Sequence, residues 1–181
     1  PERFAQEIAA DFSSFAGKIY PEWDAERHVG RVPFRPELPN YIAFDWGYTN
    51  PLAAIEFQVT PDDRIRVWRE HYKAYTTLPD HLRILRRREQ PDGYHLDMAF
   101  GDAADPEAAI TVSTNFVGCL ALPEAKENWR AGIDAVRAYM LERESTEILD
   151  EYGTPAEGEP GIVVDFSCEN LIREFNNYKA P

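Results

Sequence analysis

Short apolar runs closed by an acid, a glycine or a proline alternate along the chain with stretches whose apolar residues recur at helical spacing. YIAFD at 41–45 is such a run, ending in Asp45. LAAIEFQV (52–59) and RIRVWREHYKA (64–74) flank Pro61-Asp62-Asp63, a turn sequence, and read as a hairpin. Within it Arg64, Arg66 and Trp68 alternate with Ile65, Val67 and Arg69, the period of a strand with one wet face. LPDHLRILRRRE (78–89) sets Leu78, Leu82 and Leu85 at helical spacing. LDMAFGD (96–102) is a second buried run ending in an acid. In 105–116 Asp105 is placed to cap a helix whose first position is Pro106. VGCLALP (117–123) is a third buried run, and a long helix opens at Pro123 and reaches about Arg143. GIVVDF (161–166) predicts a last strand. ENLIREFNNY (169–178) predicts a last helix, with Leu171, Phe175 and Tyr178 on one side.

Ahead of this, residues 2–14 place Phe4, Ile8 and Phe12 four apart, the stripe of a short amphipathic helix. Pro21, Pro33, Pro36 and Pro39 then mark a strap. The division expected is a connector at 1–38 and a folded domain at 39–181. A three-stranded meander followed by alternating helices and strands predicts an α/β fold: a mixed sheet, antiparallel then parallel, with helices on both faces.

The 181 residues carry a net charge of −13, which by itself disfavours a general nucleic-acid binder. The charge is uneven, however. Residues 142–160 hold −6, whereas residues 31–141 hold only −3. Arg83, Arg86, Arg87 and Arg88 stand together against Glu89, either a solvated helix face or an edge that meets phosphate. No run is long enough to span a membrane. Cys119 and Cys168 make neither a disulfide framework nor a zinc site and read as buried thiols of a reducing compartment.

Asp45 and Asp102 each end a strand. A carboxylate there is held by the sheet while its side chain reaches the rim. If the two strands are parallel neighbours, the pair meets at one edge, and a hard divalent cation such as Mg²⁺ or Mn²⁺ relieves the repulsion. Two such ions can activate a water and stabilise the leaving oxygen of a phosphodiester. Gly47 beside the site permits close approach. A turn residue or helix cap is the plainer role for any strand-end acid.

The words around these acids carry more. Asp45-Trp46-Gly47-Tyr48-Thr49-Asn50-Pro51 and Gly101-Asp102-Ala103-Ala104-Asp105-Pro106-Glu107 resemble the two acidic motifs of the large terminase subunits of tailed bacteriophages. Gly17-Lys18-Ile19-Tyr20-Pro21-Glu22-Trp23, the stretch from Lys126 to Arg137 and the Cys168–Tyr178 stretch resemble further motifs of that family, in order, over nearly the whole chain. The resemblance implies a ribonuclease H-like nuclease domain that cuts concatemeric viral double-stranded DNA with two Mg²⁺ or Mn²⁺ ions on Asp45 and Asp102. It also implies an ATPase domain preceding this piece in the same chain, a portal protein and a small terminase subunit as partners, no membrane, and oligomers only in the assembled motor. The place of action would be the host cytoplasm. The family's third acidic cluster would fall beyond Pro181. Asp105 or Asp165 is the candidate additional ligand, with Glu174 as another stand-in. Arg83, Arg86, Arg87, Lys126 and Arg130 are the candidate DNA contacts. Two other readings are a resolvase- or transposase-like strand-transfer enzyme of the same fold and a catalytically silent module docking the motor to its portal. The histidines His28, His71, His81 and His95 offer no nucleophilic triad.

Overall fold

A computed structural model of the protein describes residues 18–102, 105–122, 129–143 and 158–179. The helix expected at 2–14, the opening of the helix at 123–128, with Lys126, and the acidic stretch 144–157 lie outside the described residues.

In chain order the elements are α1 (Ala25–His28), β1 (Val29–Gly30), β2 (Asn40–Asp45), β3 (Leu52–Val59), β4 (Ile65–Lys73), α2 (Leu78–Arg87), β5 (Met98–Asp102), α3 (Pro106–Asn115), β6 (Cys119–Leu122), α4 (Trp129–Met140), β7 (Glu142–Arg143), β8 (Glu159–Pro160), β9 (Ile162–Asp165) and α5 (Glu169–Asn177). Seven strands form one sheet in the order β1-β9-β4-β3-β2-β5-β6. β3 runs antiparallel to β2 and β4, and every other neighbouring pair is parallel. The mixed sheet of meander plus parallel strands is therefore present as expected.

Alternation along β2 sends Ile42 and Phe44 to one face, where Leu82 and Leu85 of α2 and Val112 of α3 cover them. The opposite face carries Phe57, Val67 and Val164 under Met140 of α4 and Leu171 and Phe175 of α5. Both faces are covered, so the sheet has two cores. Residues 18–38 pack on the second: Trp23 is buried with its ring stacked on Phe175, and β1 adds a short parallel strand beside β9.

Three expectations fail. β4 has no simple wet face, because its register against β3 shifts between Glu56 and Phe57 and places Trp68 and Arg69 consecutively on one side. Val67 and Trp68 are both buried, and Arg64 is buried too, held by Asp62 at 2.6 Å and the Glu159 carbonyl at 3.2 Å. A bulge of this kind adds one residue to one strand, so alternation read from sequence inverts beyond it. The long helix ends at Met140, not near Arg143; Glu142–Arg143 instead pairs antiparallel with Glu159–Pro160 and brackets the acidic stretch. Of the two cysteines, only Cys168 is buried, while Cys119 is half-buried.

The buried Glu56 carboxylate is matched by charge. Glu56 is 1% exposed and its carboxylate meets Arg69 (3.1 Å), the Tyr94 hydroxyl (3.1 Å) and the Arg88 guanidinium. A buried charge persists only with such partners.

Candidate metal centre at the sheet rim

β2 and β5 are parallel neighbours with Ala43 opposite Phe100 and Phe44 opposite Gly101. One step further, Asp45 stands opposite Asp102. Because side chains alternate, Asp45 shares a face with Tyr41 and Ala43, and Asp102 shares that face with Met98 and Phe100. Both carboxylates therefore leave the same face at the same rim, on strands about 4.8 Å apart. Their coupling is electrostatic as well: burial pushes the Asp45 carboxyl up from the ordinary carboxylate range, and the charge of Asp102 pushes it further.

A latch fixes this spacing. Trp46, immediately after Asp45, crosses to β5 and donates its indole N–H to the Asp102 carbonyl at 3.0 Å. Its ring stacks on Phe44 and lies over Gly101. A Cβ on Gly101 would stand 3.0 Å from Trp46 Cε2 and closer still to Cζ2, so only glycine leaves room for the ring. Gly47 is required for a similar reason, since a Cβ there would lie 2.5 Å from the Asn50 carbonyl oxygen. Trp46 and Gly101 were not singled out from sequence. The available signal was their position, one directly following Asp45 and the other directly preceding Asp102.

Above Asp45 lies a cleft of about 520 Å³ walled on its far side by α5. Ala53, the cross-strand partner of Asp45, leaves space there, and Glu174, Tyr72 and Tyr178 face in. Helix α5 is pinned over the cleft by Glu70, whose carboxylate accepts from the backbone N–H groups of Asn170 and Leu171, both at 3.0 Å, and from the Asn170 side chain at 2.7 Å. The N–H groups of a first helical turn are a natural seat for a carboxylate.

The other candidates separate. Asp105 caps α3, accepting from the Ala108 N–H at 2.9 Å, on the α2–α3 side of the rim. Asp165 ends β9, three strands from β2, or roughly 14 Å at sheet spacing. Its oxygens are engaged by the Val32 N–H (2.7 Å), the Ser167 N–H (3.0 Å) and the Ser167 hydroxyl (2.6 Å), so it fastens the strap. Neither joins the Asp45–Asp102 pair. Arg130 is exposed in the first turn of α4. His71 and His81, distant in sequence, touch through Nε2 and Nδ1 at 2.7 Å, and burial with His81 and Lys73 nearby pushes His71 down to about 4. Among the described residues no group of three or more His, Cys, Asp or Glu side chains could enclose a metal ion. The rim pair is an open site with two protein oxygen donors. That matches the habit of Mg²⁺, which takes one or two carboxylates and completes its shell with water and phosphate oxygens.

Solved large terminases share this arrangement of elements. The nuclease domain of the P22 large terminase superposes with a TM-score of 0.66 over 92% of this chain and 81% of that one, at 15% identity. The fold is that of a large-terminase nuclease domain. The large terminase of a thermophilic bacteriophage gives the same TM-score, 0.66, over 90% of this chain and 38% of its own, at 16% identity. The large terminase nuclease of another thermophilic phage, G20c, solved with bound magnesium, gives 0.61 over 90% of this chain and 81% of that chain, at 12% identity. In sequence, the terminase large subunit of Escherichia phage T5 is 27% identical over 97% of this chain. The resemblance to the terminase large subunit is thus borne out in sequence and in fold. The chain spans 37% of the length of that curated relative. No protein-family model matches it.

Proposed function

We propose that this chain is the metal-dependent endonuclease module of a phage DNA-packaging terminase, cutting double-stranded viral DNA at the rim formed by Asp45 and Asp102. The observation that carries the reading is the placement of these two acids, side by side on parallel strands and on one face. Asp45 and Asp102 would hold Mg²⁺ or Mn²⁺, two ions in the full reading. A divalent cation there supplies the positive charge that makes water a nucleophile at neutral pH and stabilises the leaving oxygen of a phosphodiester. The chain's own contribution is positional. The Trp46–Gly101 latch fixes the carboxylate spacing, Ala53 leaves room beside Asp45, and α5 closes the cleft on the side opposite the strands. The G20c relative solved with magnesium supports divalent-metal use by this fold.

The larger assembly is part of the same proposal: an ATPase domain elsewhere in the full protein, a portal protein and a small terminase subunit as partners, and action in the host cytoplasm. A large terminase of a thermophilic bacteriophage solved in complex with ADP supports the ATPase element. A plasmid-cleavage assay with Mn²⁺ tests the site. Asp45→Ala and Asp102→Ala should each lower cutting by about 10²-fold or more, as expected when a metal ligand is removed from a positioned reaction, and Mn²⁺ affinity should fall in parallel. Undiminished cutting by both variants would remove the rim from the mechanism.

A further inference from the structure

The arginine run at 83–88 divides in the fold. Arg88 turns inward to the buried Glu56 carboxylate. Arg83, Arg86 and Arg87 stay on the exposed side of α2, where they wall a groove of about 520 Å³. Leu82 lies in its floor, and Thr111 and Asn115 of α3 form the facing wall. Among the described residues no carboxylate lines the groove, although the chain as a whole carries −13. Arg83 is steadied by Asp80 at 2.7 Å from the preceding turn, and Arg86 lies over the Phe116 ring at 5.7 Å. These two guanidinium groups are therefore oriented from behind, and their long stems rest on apolar surface.

We propose that this groove binds the phosphate backbone of duplex DNA, gripping it on the α2–α3 face of the sheet, opposite the face that carries Asp45 and Asp102. The inference rests on the nuclease reading of Asp45 and Asp102 and adds the surface that grips the substrate. Helix α2 begins at the rim: Leu78 lines a pocket there with Trp46, Gly47 and Asp105. At 1.5 Å per residue, Arg83 stands about 8 Å and Arg87 about 14 Å along the helix from that start. The two are therefore about 6 Å apart along the groove, close to the spacing of phosphates two steps apart on one strand at an axial rise of about 3.4 Å per nucleotide. Arginine suits the task because its planar fork reads phosphate oxygens in pairs and stays charged. Three such groups lower the cost of bringing a polyanion to an acidic protein, and they do so along one groove rather than over the whole surface.

Binding of a fluorescein-labelled duplex of about 30 base pairs, followed by anisotropy in EDTA across a salt series, tests this without turnover. The combined variant Arg83→Ala, Arg86→Ala, Arg87→Ala should bind at least tenfold more weakly at about 100 mM salt. Its slope of log K against log[salt] should be shallower by about 2–3, the value for two or three lost phosphate contacts. Arg87→Glu alone should move both quantities the same way. A control with equal charge change, Arg27→Ala, Arg31→Ala, Arg35→Ala, alters a groove that also holds Glu159 and should change the slope by less than half as much. Unchanged binding by the groove variants, or an equal effect of the control, overturns the proposal. Asp45→Ala separates the two readings: having lost a negative charge at the rim, it should bind DNA at least as tightly as the parent chain and fail to cut with Mn²⁺. If it cuts normally the nuclease reading fails, and the binding result still decides the groove.

Discussion

Replacing Gly101 by alanine tests whether the rim acids are held by packing or by strand geometry alone. The backbone itself tolerates the change, since Gly101 is not among the residues with positive φ. The obstacle is the Trp46 ring: the new methyl would sit 3.0 Å from Cε2 and 3.1 Å from Cη2, against an ordinary carbon–carbon contact of about 3.5–4.0 Å. The indole must therefore move, which strains its stack on Phe44 and its bond to the Asp102 carbonyl. Overpacking of this kind costs about 1–3 kcal/mol, and loss of the hydrogen bond about 1 kcal/mol more. Relief of unfolded-chain entropy returns about 0.4–1 kcal/mol, leaving a net loss of roughly 2 kcal/mol. Trp46→Phe removes the benzo edge that clashes and should lose about 1–2 kcal/mol by itself, the hydrogen bond and some packing together. In the double variant the clash is gone, so the two losses should fall short of additivity by about 1 kcal/mol or more. Urea unfolding of the four proteins measures this coupling. Titration with Mn²⁺ should show Gly101→Ala binding metal more weakly than the parent, and plasmid cutting should fall by up to about 10²-fold, the cost of a shift of about 1 Å at a reacting site. Additive losses with unaltered Mn²⁺ affinity would refute the latch.

Other outcomes follow from the remaining charges and thiols. The raised Asp45 carboxyl means its ionised form weakens the metal-free fold, an effect absent below its unfolded pKa and complete above its folded one; Asp45→Asn should therefore raise Tm in EDTA at about pH 7, and the gain should vanish toward about pH 4. Asp165 behaves oppositely. Burial pushes it up, but hydrogen bonds from Ser167 and Val32 outweigh this and hold it low, so its stabilisation is present above an ordinary aspartate pKa and is lost as pH falls through the folded value. Asp165→Ala should cost about 2–3 kcal/mol in urea unfolding at about pH 7, since it strands the Val32 N–H, and should leave Mn²⁺ affinity unchanged. Burial, with Glu70 and Asp165 nearby, pushes the Cys168 thiol up to about 12. Native protein at about pH 8 should then release about one thiol equivalent with a disulfide reagent, from Cys119, and about two after denaturation; rapid labelling of Cys168 would contradict its packing.

The elements themselves were legible because local signals decide them. Turn chemistry at Pro61–Asp63 closed the hairpin, and Asp105 with Pro106 opened α3, as its bond to the Ala108 N–H shows. The apolar runs of β2 and β5 announced two buried strands, each ending on an acid. What alternation could not carry was the β4 bulge, because an extra residue in one strand is defined only against its partner in β3. The same limit hid the end of α4, which is set by the pairing of Glu142–Arg143 with a segment after the acidic stretch.

For the site, the sequence determined which residues carry the chemistry: two acids whose backbones are locked by strands, with glycines where close approach is needed. Only the tertiary structure decided that β2 and β5 are parallel neighbours in register, which turns two strand ends into one carboxylate pair. It also sorted acids and arginines that look equivalent as text. Asp105 and Asp165 are drawn into backbone hydrogen bonds, Arg88 is drawn into a buried ion pair with Glu56, and Arg83, Arg86 and Arg87 are left on a groove without a lining carboxylate among the described residues. The reason is physical. A side chain's identity is local, but its charge state and partners are set by which distant strands and helices surround it.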